Sequence, residues 1–172
     1  ELREPAPLRQ AIESTWYTSR QMGETVAATI AGKPTRYEPR LWFNSAKFFN
    51  LEYQTYGYVP PAWSAAYESV HWQHATDAKS IRILYEVESL AVVGFVLLGV
   101  RYRHDVCERW ILAKTSIESV LERLPMANFD GEFSPSYEAE LLQIYNQRTG
   151  KNLQLRSRRG LSAVWQWLRG GG

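Results

Sequence analysis

The 172-residue chain is 45% hydrophobic and 22% charged, which excludes global disorder and allows one core of ordinary size with appendages. A net charge of +2 argues against a whole-domain nucleic-acid binder, and a lone cysteine, Cys107, excludes an internal disulfide or a dithiol redox centre. A single thiol reads as a reducing, cytoplasmic compartment. Charge is uneven, because Lys151, Arg156, Arg158, Arg159 and Arg169 crowd the last residues with no acid among them.

The opening Glu1-Leu2-Arg3-Glu4-Pro5 lacks the apolar centre of a signal peptide. The most apolar run, residues 90–100, is too short to span a bilayer. A start without methionine and the closing Gly170-Gly171-Gly172 create the expectation of a piece of a longer polypeptide.

Residues 10–31 are expected to form the first helix. Met22, Val26 and Ile30 recur every four residues, Gly32 suits a helix C-terminus, and Pro34 prevents continuation. Gly23 inside that helix costs about 1 kcal/mol relative to alanine. Such a cost implies close approach by a sheet, another backbone or a ligand. Residues 33–41 then read as a polar connector.

Residues 41–47 read as an aromatic entry, and residues 48–57 as a strand ended by Gly57 and Pro60-Pro61. Phe49, Leu51 and Tyr53 share one face of it, while Asn50, Glu52 and Gln54 share the other, the alternation of a half-buried strand. Residues 60–79 read as a long loop whose His71 and His74 form an H-x-x-H spacing. With no cysteine and only Glu68 and Asp77 nearby, solvated histidines are expected rather than a metal site. Residues 80–87 alternate as a strand, and residues 90–102 are apolar enough for a central one.

A helix capped by Asp105 is expected to run to Leu124, with Val106, Trp110, Ala113, Ile117, Val120 and Leu121 on its apolar stripe. Cys107 lies beside that stripe and reads as a passive thiol. Ser134-Pro135 marks the start of another helix closing near Gly150, on which Glu138 and Glu140 read as solvated. In the tail, Leu161, Val164, Trp165 and Leu168 fall on one face of a short basic helix. Residues 156–169 therefore suit peripheral contact with an anionic membrane or an acidic partner.

No dinucleotide fingerprint, P-loop, zinc-protease motif or nucleophile elbow occurs in the chain. The residues alone give an α+β fold: a small antiparallel sheet of about three or more strands packed with helices. They do not assemble a complete active site.

Two segments add a resemblance. Residues 16–32, with Gly23 followed by small residues and an Ala31-Gly32 turn, look like the last helix of the FAD domain in pyridine-nucleotide-dependent flavoprotein reductases. Trp42-Phe43-Asn44-Ser45, leading into residues 51–57, is similar to the motif that opens the C-terminal domain of ferredoxin-reductase-like members. Asn44 stands where that motif has tryptophan, and Ala46 where it has aspartate. The similarity covers residues 10–124.

It implies a divergent NAD(P)/FAD-dependent oxidoreductase represented by its C-terminal part. Residues 1–33 would be the terminal helix of the FAD domain, 34–125 the interface domain, and 126–172 a helical extension. Implied cofactors are FAD and NAD(P)H in the complete enzyme, none bound tightly by this chain alone. Implied partners are upstream FAD- and NAD-binding domains and a second subunit or an electron-acceptor protein. Thr15, Trp16 and Tyr17 would lie where a helix dipole steadies charge at the flavin N1–O2 edge. Asn44, Ser45 and Lys47 would lie near the isoalloxazine. A non-catalytic assembly module is the alternative.

Overall fold

The computed structural model describes residues 15–60, 64–131 and 135–156. Their elements run α1 (Trp16–Ile30), β1 (Phe43–Phe48), β2 (Leu51–Gly57), β3 (Tyr67–Gln73), β4 (Ser80–Glu86), β5 (Val92–Leu98), α2 (His104–Leu112), α3 (Ile117–Arg123), a 3₁₀ turn (Leu124–Met126) and α4 (Glu138–Thr149). The α+β expectation holds. The strands form one five-stranded sheet in the order β1-β2-β5-β4-β3, every neighbouring pair antiparallel.

One face of that sheet carries the core. Tyr56, Phe95, Leu97, Ile81, Ile83, Val70 and Trp72 are buried there with Val106, Trp110, Val120, Leu121, Leu141 and Tyr145 from the helices. Each such side chain removed from water contributes roughly 1.5–3 kcal/mol before conformational entropy is charged. On the other face the chain leaving β2 passes so close to β5 that a Cβ on Gly94 would strike the Tyr58 carbonyl. Gly57, at φ +70, turns the strand in a conformation that disfavours a side chain, and a Cβ there would strike the Val93 carbonyl.

Several expectations need correction. The aromatic entry is itself a strand: β1 pairs with β2 from Phe43↔Tyr56 to Phe48↔Leu51, leaving Phe49 and Asn50 as the turn. Phe49 therefore does not share a strand face with Leu51 and Tyr53, but stands 97% exposed at φ +51. The core side of β2 is the one bearing Glu52, Gln54 and Tyr56, inverse to its local hydrophobicity. Two polar groups are tolerated there because each has a partner: Glu52 holds Arg101 in a fork at 2.7–3.0 Å, and Gln54 Oε1 accepts the Tyr102 N–H at 2.9 Å.

The long loop contains β3, whose inward side offers only Val70 and Trp72 as buried apolar residues. The helix expected from Asp105 to Leu124 is two helices, and Asp105 lies in the first turn of α2 rather than at its cap. Between them Lys114 takes φ +49. Backbone bonds to the β4–β5 turn hold the chain out of the helix, Val92 N–H to Thr115 at 2.9 Å and Ile117 N–H to Leu90 at 2.8 Å. Ser116 then caps α3 by accepting from the Ser119 N–H at 3.3 Å.

α4 starts at Glu138, not at the serine–proline pair; Ser134 lies outside the described residues. Glu138 is only 1% exposed, against the solvated reading, with Asn128 Nδ2 donating to it at 3.2 Å and the Ser136 hydroxyl donating as well. Its carboxylate also sits at the favourable end of the helix dipole. The tail helix and residues 10–14 of the first helix lie outside the described residues.

Gly23 is the clearest reversal. A Cβ there meets nothing within 4 Å, and Trp16, Met22, Val26 and Ile30 of α1 are exposed rather than packed on the sheet. The glycines therefore separate cleanly. Gly57→Ala should lower the thermal midpoint by the equivalent of about 1–3 kcal/mol, the scale of overpacking. Gly23→Ala should raise it by the equivalent of about 0.5–1 kcal/mol through helix propensity alone. Parallel thermal melts check both signs.

Candidate functional site

An open groove of about 520 Å³ lies where the first turn of α1 meets the start of β1 and the first turn of α2. Its walls include Trp16, Tyr17, Phe43 and His104, with Arg20 and Arg40 beside them. The rings are in contact. Tyr17 lies 4.3 Å from Phe43 between ring centroids, Phe43 lies 4.6 Å from His104, and Trp16 meets Tyr17 edge-on at 5.3 Å.

Sequence alternation explains this placement. Phe43 and Tyr56 are paired across β1 and β2, so both rings project to the core side, where they stack at 5.8 Å. His104, the first residue of α2, fits against both, 5.3 Å from the Tyr56 ring. Its Nε2 lies 3.8 Å from Glu108 one turn later. Burial drives the Tyr56 phenol far above its usual pKa, so it remains a neutral donor, directed at the Tyr102 carbonyl 3.4 Å away. The groove thus offers flat aromatic surfaces, with charges of both signs at the rim, Arg20 held by Glu24 at 2.8 Å and Arg40 and Glu108 beside them, a lining suited to stacking a planar ligand.

Of the residues singled out in the sequence, Trp16 and Tyr17 line this groove, and Thr15 stands at the same helix end, donating to the Thr18 hydroxyl at 3.0 Å. The other three go elsewhere. Asn44 projects to the opposite face of the sheet and donates to the Tyr53 hydroxyl at 2.9 Å. Ser45 and Lys47 share the core-side face with Phe43 but lie farther along β1.

Lys47 borders a second cavity of about 390 Å³, together with Glu52, Lys79, Arg101, Phe129 and Tyr137. In that cavity Lys79 is committed to Asp77 at 2.8 Å and to the Tyr137 hydroxyl at 3.1 Å, contacts that raise its pKa. His104 was not singled out by sequence reasoning. The available signal was Tyr56, whose position opposite Phe43 becomes evident only once β1 is recognised as a strand.

His71 lies on β3 while His74 begins the turn after it, its Nδ1 accepting from the Asp77 N–H at 3.0 Å. Burial lowers the His71 pKa, and Arg82 adds to the effect. No cluster of three or more metal-ligating side chains occurs among the described residues. None of their helices is long and apolar enough to cross a membrane.

No protein-family model and no curated protein matches the chain. Among solved structures, the NAD-dependent persulfide reductase from A. fulgidus shares the fold, with a TM-score of 0.54 and 17% sequence identity. The match covers 81% of this chain but only 28% of that one, so the chain spans less than a third of the reductase's length. At that identity the likeness concerns architecture.

Cys107 is fully buried among the core residues, and burial with the nearby Asp105 charge holds its thiol protonated far above the ordinary range. The native protein at neutral pH should therefore resist a disulfide-exchange reagent for hours. In denaturant one thiol per chain should react at once. Rapid labelling of the folded protein would contradict this burial.

Proposed function

We propose that the chain is the C-terminal domain of an NAD(P)H-dependent flavoprotein oxidoreductase, set over the flavin and bearing on a neighbouring domain. The observation that carries this reading is the behaviour of α1. Its exposed row of Trp16, Met22, Val26 and Ile30, with the bare surface of Gly23 among them, is a helix face shaped for an absent neighbour. Among the described residues its first turn is what ties it to the sheet, through Tyr17 on Phe43 and the buried Thr18. A helix anchored at one end and apolar along its outer side suits the last helix of an adjoining nucleotide-binding domain. The shared fold with part of an NAD-dependent reductase supports the same reading.

In this reading Thr15, Trp16 and Tyr17 stand at the flavin edge, where the free N–H groups of a helix start favour developing negative charge. FAD would supply the electron transfer. The protein residues would orient it: rings for stacking, with Ser45 and Lys47 on the same face farther along β1, while Asn44, turned to the other face and held by Tyr53, would lie outside that contact. The same apolar row favours the alternative, a non-catalytic assembly module, unless flavin is present.

The test uses the complete reading frame that contains the chain. The purified product should show the flavin visible band, and NAD(P)H should bleach it. Val26→Asp should reduce flavin occupancy severalfold by placing an unpaired charge in the domain contact. The 172-residue chain alone should bind FAD without saturation at micromolar protein. A colourless full-length product, or tight flavin binding by the isolated chain, would refute the reading.

A further inference from the structure

The cavity of about 390 Å³ beside Arg101 lies at the opposite end of β1 from the groove at α1, and the two share no residue. Backbone contacts fix its walls. Gly99 N–H donates to the Glu52 carbonyl at 2.7 Å, and a Cβ on Gly99 would strike the Ala78 carbonyl. The end of β5 is thereby locked to β2 and to the loop bearing Lys79. Phe129 N–H donates to the Arg101 carbonyl at 3.2 Å, which holds residues 128–130 alongside Arg101.

The polar groups on this lining are only partly used. Arg101 commits Nε and Nη2 to the Glu52 carboxylate, and its Nη1 bonds to none of the described residues. Lys79 donates to Asp77 and to the Tyr137 hydroxyl, which leaves one ammonium N–H and the tyrosine O–H itself. Asn128, 7% exposed, donates to Glu138 and accepts the Asp130 N–H at 3.1 Å, so a second amide hydrogen remains. Buried donors of this kind ordinarily find an acceptor.

Charge and shape narrow the choice of acceptor. The pairs Arg101–Glu52 and Lys79–Asp77 cancel, and Lys47 offsets Asp130 at the exposed rim, so the lining is close to neutral. Phe129 is 59% exposed, with Arg101 over one side at 5.3 Å, which leaves ring surface open. Tyr137 differs, because Trp72 stacks on it at 4.4 Å and Lys79 sits over it, so it contributes a hydroxyl and not a face.

We propose that this cavity binds a small planar organic monocarboxylate, held by the spare donors of Arg101, Lys79, Tyr137 and Asn128, with its flat body on Phe129. The volume falls within the range of small-molecule sites, about 300–1,000 Å³. Charge-assisted bonds to a carboxylate are roughly twice as strong as neutral ones, which selects the acid over its amide. A second negative charge would face a lining with no net positive charge to balance it.

Benzoate is the probe, titrated at constant ionic strength into the flavin-free 172-residue chain and followed by amide NMR, so the outcome bears on this cavity and not on the flavin reading. Binding should saturate in the range of about 0.1–5 mM, with shifts centred on Gly99, Arg101, Asn128 and Phe129. Phthalate, with a second carboxylate, and benzamide, with none, should each bind at least about tenfold more weakly. Phe129→Ala removes an exposed ring and should weaken benzoate at least about fivefold while the remaining spectrum stays native. Arg101→Lys keeps a charge opposite Glu52 but loses Nη1, and should weaken it at least about fivefold as well. No saturation by about 20 mM benzoate, equal affinity for benzamide or phthalate, or unchanged affinity in either folded variant would each overturn the proposal.

Discussion

The stack of rings running from α1 into the core is the constraint on which the candidate site depends. It passes from Tyr17 to Phe43 at 4.3 Å, to Tyr56 at 5.8 Å, then edge-on to Phe95 at 6.5 Å and on to Trp110 at 6.4 Å. Each step crosses from one element to the next: helix, edge strand, inner strand, central strand, covering helix. Aromatic pairs favour offset and edge-on geometry and add roughly 0.5–1.5 kcal/mol beyond burial. The stack therefore locates α1 relative to the sheet even though most of that helix stands off it. Without Phe43 the first turn of α1 would lose its seat, and the groove would lose a wall.

Electrostatics does a different job at the margins. Arg101, just after the central strand β5, grips Glu52 of β2, Arg156 holds Glu122 at 2.7 Å, and Arg148 reaches the Tyr85 hydroxyl at 2.6 Å and the Ser69 carbonyl at 2.7 Å. These contacts are largely exposed, where an ion pair contributes about 0–1 kcal/mol and salt weakens it. Their role is positional: they seat α4 and the segment after it against the sheet and α3. The interior stability comes from the apolar layer, which α4 completes through Leu141, Leu142 and Tyr145.

The fold class was legible because its strongest signals were periodic and local. The residues of β4 and β5 alternate or run apolar, α1 has its glycine and proline stop, and α2 and α3 share one apolar stripe. What escaped was set by distant partners. β3 looked like a loop because only Val70 and Trp72 of its seven residues face the interior. The break between α2 and α3 came from bonds to the β4–β5 turn, invisible in helical periodicity. The direction of β2 was concealed because Glu52 and Gln54 occupy the core side with partners near Arg101 and Tyr102. Of the site, the helix start at Trp16 and Tyr17 was readable from resemblance, whereas His104 depends on a tertiary stack with no local signature.

The strand order also implies a sequence in time. β3, β4 and β5 are neighbours in the chain and in the sheet, as are β1 and β2, so each group closes through short loops. Joining β2 to β5 instead brings together residues such as Tyr56 and Phe95, with two strands lying between them in sequence. Closing a longer loop costs more chain entropy before contacts compensate, so this seam is expected to form last. A conservative truncation in the three-strand meander, Ile83→Val, should slow refolding. Phe43→Leu at the late-docking hairpin should chiefly accelerate unfolding, and stopped-flow kinetics distinguishes the two limbs. The seam that fixes the site would then also be the first to open.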